Sequence, residues 1–531
     1  MKFFFLFIVL SFVFLSCNKE KTVWDSNWKA PLVNDTITLD KFVNDSTLVE
    51  SLGYYELDLH RTILDINLTE LIDLNDTTIT KNFSISFSSL LATPGTSFVN
   101  SIEEHDMNVK DVELKKLRLS KGIIHIRLEN PLSTKVIFTL KLPGVTKNSI
   151  VFEQEFTAPS GTNTNPGIVE GDIDVAGFTM DLTGASGSTF NILQSQFTVK
   201  TDPNGPTVTV TNNDVTKILA TLKDFKADYA RGYFGNEVIS DTTEVNIAQF
   251  SGISGLIDLP ACNLNFVVSN GFKIPAKATL HMIRNENDLT GNSVELQTNP
   301  SNSVQIGQGF YLDGATGSWS TLQSAVKTLN FSSSNSNVEQ YFENIGSKQK
   351  IGYSLQLNPW GNTSGGWNEI FPDSRLKVSI DASMPLQIGL DGLTIRDTFD
   401  LNIKQNTEKT HVVEGELILK ATNLFPMSGA LSLHLLDESG DVIHTVAGSS
   451  ELKSSLFGST YTNGIQTCIS EVHFVLPKAV LSQLESVKKV AIQSEFNTPI
   501  PTVNGNSSLP IPVGAFLGVK LRGAFKLENR F

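Results

Sequence analysis

The sequence predicts an all-β protein made of tandem β-sandwich-like repeats with a few short helices. The chain is rich in Thr, Ser, Asn, Val, Ile and Phe and poor in long charged helix formers. Apolar and polar residues alternate with a period of two, which is typical of strands that bury one face. A third observation is a strand–break–strand pattern that recurs three times, which indicates duplication of one module.

The recurring pattern is a strand that ends at an asparagine, a short break containing proline, and a returning strand. Its three copies are KGIIHIRLENPLSTKVIFTLKLPG, ACNLNFVVSNGFKIPAKATLHMI and VVEGELILKATNLFPMSGALSLHLLD. Asparagine hydrogen-bonds its own backbone in turns, and proline cannot donate to a sheet ladder. We therefore predict that Asn130, Asn270 and Asn423 mark crossovers between strands.

The spacing of the copies is the size of a domain, so each is expected to be one sandwich. We expect the following organisation along the chain: a signal peptide at 1–16, a lipidated N-terminal extension at 17–108 that packs against the first repeat, and repeats at 109–240, 241–372 and 373–531. Capping residues and local pattern predict short helices near 214–223, 336–345 and 478–487.

The first residues, MKFFFLFIVLSFVF, form a secretory signal, because one basic residue precedes an apolar stretch too short to span a bilayer. Leu15-Ser16-Cys17 follows and resembles the lipobox of bacterial lipoproteins. That resemblance implies acylation of Cys17 by chains such as palmitate, and two or more chains anchor a protein stably. The alternative is a plain signal peptide with an incidental cysteine. Because the charged stretch after Cys17 is short, we expect the first domain to lie close to the membrane.

The charge balance limits the partners. The chain has 41 Lys+Arg against 55 Asp+Glu, a net charge of −14. Nucleic acids and anionic lipid surfaces need clustered cations, so neither nucleic acid nor a polybasic membrane contact is expected.

The sequence suggests no catalytic or metal chemistry. It contains no GxxxxGK[ST] loop, no GxSxG elbow, no HExxH and no CxxC. We therefore expect no enzyme activity, no cofactor and no metal site. Cys262 and Cys468 alternate in phase with apolar neighbours, which favours two buried thiols, although a disulfide between them stays open.

A candidate binding loop is NPWGNTSGGWNEIF at 358–371. Trp360 and Trp367 bracket a polar, glycine-rich loop in which large rings have no strand neighbours. Tryptophan is enriched in binding hot spots and stacks on flat partners. The alternative is that both rings fold back and cover the end of a sandwich.

Four pieces of the chain are similar to uncharacterised lipoproteins of the Bacteroidota type: WDSNWKAPLV, ADYARGYFG, RDTFDLNI and the asparagine–proline strand pair. The strand pair also resembles β-sandwich domains of the late-embryogenesis type, and an immunoglobulin-like sandwich is the other candidate. The first resemblance implies a lipid-anchored protein of the outer membrane that faces the extracellular side, with the periplasmic side as the alternative.

Two functions compete at this point. The first is a non-enzymatic structural or interaction subunit of a larger outer-membrane assembly, with an outer-membrane protein as its partner. The alternative is a surface glycan-binding lipoprotein accessory to polysaccharide uptake. The loop with Trp360 and Trp367 discriminates between them, because glycan binders present flat aromatic platforms.

Overall fold

The computed structural model describes residues 23–38, 48–72, 74–246, 254–300, 305–401, 410–499 and 508–530. Strands account for 62% of the chain and helices for 4%, which confirms the predicted all-β class. None of the helices in these ranges is long and apolar enough to cross a membrane.

The N-terminal part forms strands that pair with distant regions of the chain. They are β1 (Val23–Thr38), β2 (Leu48–Ser51), β3 (Tyr54–Ile66), β4 (Thr77–Phe83), β5 (Ser89–Ala92) and β6 (Ser97–Asp106), with the short helix α1 (Leu68–Leu71) between β3 and β4.

The next strands build the first sandwich. They are β7 (Glu113–Asn130), β8 (Val136–Lys147), β9 (Ile150–Ala158), β10 (Gly167–Asp174), β11 (Thr179–Asp181), β12 (Ile192–Thr201), β13 (Val208–Thr211) and β14 (Thr216–Tyr233).

A second group of strands follows, with one helix. It comprises β15 (Val238–Asn246), β16 (Ser254–Asp258), β17 (Asn263–Asn270), β18 (Ala276–Glu286), β19 (Ser293–Glu295), β20 (Gly309–Leu312), β21 (Ala325–Ser332), α2 (Val338–Glu343), β22 (Lys348–Leu357), β23 (Asn368–Ile370) and β24 (Leu376–Pro385).

The last group completes the described chain. It comprises β25 (Gln387–Asp400), β26 (Thr410–Asn423), β27 (Ser428–Leu436), β28 (Val442–Ala447), β29 (Thr460–Thr462), β30 (Ile465–Val475), α3 (Lys478–Leu481), β31 (Lys489–Asn497), β32 (Leu509–Pro510) and β33 (Phe516–Arg530), with 3₁₀ turns at Ser455–Phe457 and Leu484–Ser486.

One antiparallel pairing scheme occurs three times. In the first sandwich, β7 pairs with β10 and β14, while β8 pairs with β9 and β12. In the second, β17 pairs with β21 and β24, while β18 pairs with β20 and β22. In the third, β26 pairs with β30 and β33, while β27 pairs with β28 and β31. The shared scheme is the structural counterpart of the repeated sequence pattern.

The crossover asparagines have the same environment in all three copies. Asn130, Asn270 and Asn423 end β7, β17 and β26, and all three are buried. Each Nδ2 donates to the carbonyl four residues ahead and to one distant carbonyl, and each Oδ1 accepts from the N–H two residues ahead, at 2.7 to 3.1 Å. The prediction that these asparagines mark strand crossovers is confirmed.

The core lies between the facing sheets, where alternate side chains are buried. In the second sandwich, Leu264, Phe266 and Val268 of β17 are buried, as are Ala278 and Leu280 of β18. Removing this apolar surface from water is the main stabilising contribution, about 25 cal/mol per Å². The period of two that predicted strands is therefore the alternation between core and solvent.

The N-terminal extension packs against the first repeat, as expected, but not against that repeat alone. Its strands pair with all three sandwiches: β4 with β14 and β6 with β12 in the first, β3 with β24 in the second, and β1 with β33 in the third. The β1–β33 ladder joins Val23 to Arg530 at one end and Thr38 to Phe516 at the other. The extension therefore ties the three sandwiches together.

Two of the three predicted helices are present. Helix α2 lies within 336–345, and α3 with the following 3₁₀ turn lies within 478–487. The helix predicted near 214–223 is wrong, because these residues begin β14. Ile218, Ala220 and Leu222 are buried with a period of two, and the strand pairs with β4 and β7.

Two joints connect the sandwiches. At the first joint, between the first and second sandwiches, β23 pairs with the end of β14, and Asn358 Nδ2 donates to Gly235 O at 2.9 Å. At the second joint, between the second and third, Tyr55, Leu386 and Ile511 form a closed set of backbone hydrogen bonds of 2.9 to 3.1 Å. The predicted domain bounds, 109–240, 241–372 and 373–531, stay a prediction. Strand pairing places β24, which begins at Leu376, in the second sandwich.

Candidate functional site

The predicted binding loop leads from β22 to β23, directly at the first joint. Its own polar groups shape it: Gly366 N donates to Asn362 Oδ1 at 2.8 Å, and Trp367 N donates to Ser364 Oγ at 3.2 Å. Gly366 has a φ of +81°, a conformation that glycine adopts without a steric penalty. The loop therefore has a defined conformation that presents both tryptophans.

Trp360 forms a stack at the outer side of this loop. Its ring lies 4.9 Å from that of Tyr311 on β20, with an interplanar angle of 22°. The two residues are 56% and 54% exposed, so the pair faces water rather than the core. Lys277 Nζ lies 5.8 Å from the centre of the Tyr311 ring. An exposed, nearly parallel aromatic pair with a cation beside it is a surface suited to contact with a flat partner.

Trp367 connects the loop to the first sandwich through cations. Lys115 Nζ and the Arg231 guanidinium lie 5.4 and 5.0 Å from the ring centre. Lys115 Nζ also donates to Gly365 O at 2.8 Å. The residue is still 62% exposed, so the ring contacts the joint and leaves much of its surface to solvent.

A third tryptophan, which was not predicted from the sequence, belongs to the same region. Trp319 lies in the loop between β20 and β21 and packs 4.8 Å from Tyr229 and 4.3 Å from the Arg118 guanidinium. It is 46% exposed. Its setting, GATGSWSTL, has the same signal that pointed to Trp360, namely a large ring in a loop of glycine and serine. We call Tyr311, Trp319, Trp360 and Trp367 the tryptophan surface.

A polar cluster lies beneath the tryptophan surface and is centred on Glu369 of β23. The Glu369 carboxylate accepts hydrogen bonds from Arg231 at 2.7 Å, from Tyr229 OH at 2.8 Å and from Lys273 Nζ at 2.9 Å. Tyr229 and Arg231 belong to the first sandwich, whereas Lys273 and Glu369 lie on the side of the second sandwich. The cluster therefore ties the two sandwiches together with charge-assisted hydrogen bonds.

The charges of this cluster shift the ionisation of its members. Burial alone would raise the pKa of Glu369, but the hydrogen bonds from Lys273, Arg231 and Tyr229 outweigh it and lower the pKa to about 2. Burial, together with the hydrogen bond to Glu369, raises the pKa of Tyr229 to about 12. At neutral pH the cluster holds a carboxylate, a neutral phenol and two cations.

The two interpretations of the loop tryptophans, an exposed binding surface and a cover over the end of a sandwich, therefore both apply to this surface. Trp319 and Trp367 cover the first joint, as rings folded against a sandwich end would, while a large part of each residue remains exposed. Trp360 stacks on Tyr311, another exposed ring. A binding role for Trp360 and Trp367 stays a prediction.

The remaining candidate residues have structural surroundings or lie outside the described ranges. Cys17 lies outside the described residues. Cys262 and Cys468 are both free and buried, and burial raises the pKa of the Cys262 thiol to about 12. Within the described ranges, no group of three or more His, Cys, Asp or Glu side chains could hold a metal ion.

Comparisons with known proteins identify no family for this chain. No protein-family model matches it, and no curated protein matches it. Among solved structures, a "putative secreted protein" from Parabacteroides distasonis is 9% identical, with a TM-score of 0.27 over 94% of this chain and 99% of that one. The VP2 subviral particle of infectious bursal disease virus is 9% identical, with a TM-score of 0.12 over 92% of this chain and 85% of that one. Scores this low do not establish a common fold.

Proposed function

We propose that this chain is a non-enzymatic lipoprotein of the bacterial outer membrane, exposed to the extracellular side, that acts as a structural subunit of a larger membrane-protein assembly. The observation that carries the proposal is the N-terminal extension, which adds strands to all three sandwiches. A chain built this way is a row of three similar units with a defined attachment end.

The connections between the units support a scaffold that arranges partners. At the first joint a β-ladder and the Glu369 cluster cross from one sandwich to the next. At the second joint the backbone bonds of Tyr55, Leu386 and Ile511 do the same. Connections made of backbone ladders and charged hydrogen bonds resist bending more than a flexible linker does.

The lipid anchor is tested by replacing Cys17. The Cys17→Ala variant should not incorporate labelled palmitate and should not be processed by the lipoprotein pathway. Cys468→Ala is the matched control, because it removes a thiol but leaves the signal region intact, and it should be labelled like the wild type. Palmitate labelling of Cys17→Ala at the wild-type level would refute the anchor.

The assembly role is tested by extraction from the native membrane with a mild detergent, followed by affinity purification. We expect a membrane protein to co-purify in a constant ratio, and to be lost when the chain is extracted under denaturing conditions. Recovery of the chain alone, with no cross-link to a membrane protein in intact cells, would contradict the role.

The extracellular location is tested by adding protease to intact cells. We expect the chain to be cleaved while periplasmic proteins survive. Protection that disappears only when the outer membrane is permeabilised would place the chain in the periplasm.

A second candidate function, binding of a surface glycan, is favoured by the tryptophan surface. The stacked pair of Trp360 and Tyr311 offers an exposed aromatic face to a sugar ring. Affinity electrophoresis through gels that contain polysaccharide tests this function. Retardation lost in Trp360→Ala but kept in Trp28→Ala, which removes an exposed tryptophan of the third sandwich, would favour glycan binding over the scaffold role.

A further inference from the structure

The strand register gives the third sandwich two different ends. Along the β1–β33 ladder, the pair Thr38–Phe516 lies at one end and the pair Val23–Arg530 at the other. The ladder consists of fifteen pairs, both ends included, which corresponds to a length of roughly 45 Å at about 3.3 Å per residue. The two ends are therefore far apart compared with the size of a side chain.

The second joint identifies which end faces the second sandwich. Ile511 bonds to Tyr55 and Leu386 there, and Ala515 and Phe516 follow within a few residues. Thr38, the partner of Phe516, must therefore lie on the side of the joint. The Val23–Arg530 end points away from the second sandwich, and so does Asp400, which pairs with Lys489 at the far end of the other sheet.

The second and first sandwiches continue the row with the same polarity. Asn270 and Leu376 pair at the end of the second sandwich that meets the first joint, whereas Pro385 and Glu56 pair at the end that meets the second joint. In the first sandwich, Tyr233 and Glu113 pair at the first joint. The Asn130 end of the first sandwich is thus the end of the row opposite to Val23.

Cys17 is covalently restricted to the Val23 end. Five residues lie between it and Val23, and the six residue-to-residue steps span at most about 20 Å whatever their conformation. That reach is less than half the length of the third sandwich. Trp28, five residues further along β1, is 46% exposed, and tryptophan is favoured at the boundary between membrane and water.

We infer that the Val23–Arg530 end of the third sandwich meets the lipid bilayer, and that the first sandwich is carried furthest from it. This inference rests on the proposed lipid anchor at Cys17. It reverses the expectation, drawn from the short charged stretch after Cys17, that the first domain lies close to the membrane. The partner of this end is the lipid surface, and the first sandwich is the part of the chain that reaches outward.

The inference is tested by energy transfer to the membrane surface. Residues 1–17 are replaced by a hexahistidine tag, and the protein is bound to phosphatidylcholine vesicles that contain a nickel-chelating lipid and a rhodamine-labelled lipid. A donor dye is attached to Ser486→Cys at the Val23 end or to Ser88→Cys at the Asn130 end; both serines are exposed, and the native Cys262 and Cys468 are buried.

We expect transfer from the Ser486→Cys dye to be several-fold more efficient than from the Ser88→Cys dye. A tag placed after Phe531 should give the same order, because Arg530 pairs with Val23. A tag inserted after Asn163, in the exposed loop beside the Asn130 end, should reverse it.

Equal or stronger transfer from the Ser88→Cys dye with the N-terminal tag would overturn the inference. The tag replaces the lipid, so this result does not depend on acylation. Failure of the anchor itself is measured separately, by palmitate labelling of Cys17→Ala.

Discussion

Replacing Asn270 by alanine tests whether the crossover asparagines hold the sandwiches together. Asn270 Nδ2 donates to Ile274 O at 2.7 Å and to Asp313 O at 3.0 Å, and its Oδ1 accepts from Phe272 N at 3.1 Å. The side chain is fully buried, so water cannot replace the lost partners. At about 1 kcal/mol for each hydrogen bond, we expect Asn270→Ala to lower the free energy of unfolding by about 3 kcal/mol.

Urea unfolding, followed by far-ultraviolet circular dichroism, measures this loss as a shift of the transition that belongs to the second sandwich. Asn130→Ala and Asn423→Ala should produce losses of similar size, because their hydrogen bonds are the same. The matched control is Asn246→Ala, an exposed asparagine at the end of β15, which should change stability by less than about 0.5 kcal/mol. A loss below about 1 kcal/mol at Asn270 would refute the reasoning.

Three further predictions concern the first joint, the N-terminal strand and one close contact. Glu369 has a pKa of about 2 in the folded chain against an ordinary 4.5, and at 1.4 kcal/mol per pK unit this shift contributes about 3.5 kcal/mol to stability. The contribution is complete above pH 4.5 and is lost as the pH falls towards 2, so Glu369→Gln should abolish this pH dependence in urea titrations. Deleting 23–38 should destabilise the third sandwich by about 5 kcal/mol, so that its urea transition precedes the other two. Gly346→Ala should lower the free energy of unfolding by more than about 2 kcal/mol, because the added Cβ would lie 1.7 Å from Asn285 Oδ1. Gly352→Ala is the control: the nearest atom would be 3.5 Å from its Cβ, so its thermal unfolding should be nearly unchanged.

The sequence was informative where the structure is set by local chemistry. The three asparagine breaks could be predicted because each asparagine bonds backbone within four residues of itself. Cys262 and Cys468 were expected to be buried from their phase along a strand, and both are.

The helix expected near 214–223 shows where local chemistry is ambiguous. Val215, Ile218, Leu219 and Leu222 have helical spacing, while Ile218, Ala220 and Leu222 have strand spacing. These residues form a strand because they pair with β4 and β7. Both partners are distant in sequence, so the local pattern alone could not decide.

The role of the N-terminal extension could not be predicted for the same reason. The WDSNWKAPLV stretch reads as a strand, but nothing in it identifies a partner about 500 residues away. The site was found in part: Trp360 and Trp367 were singled out, whereas Trp319, Tyr311 and the cations of the first sandwich were not. The cations of the first sandwich reach the loop where β14 pairs with β23, and Tyr311 is positioned by the pairing of β20 with β18.

The pairing of the first described strand with the last has a consequence for biogenesis. A chain exported from its N-terminus delivers β1 early, but β33 is delivered only when almost the whole chain has passed. Until then the apolar face of β1 has no sheet to join, and contacts this distant form slowly. A release from synthesis before residue 516 therefore leaves β1 without its partner strand.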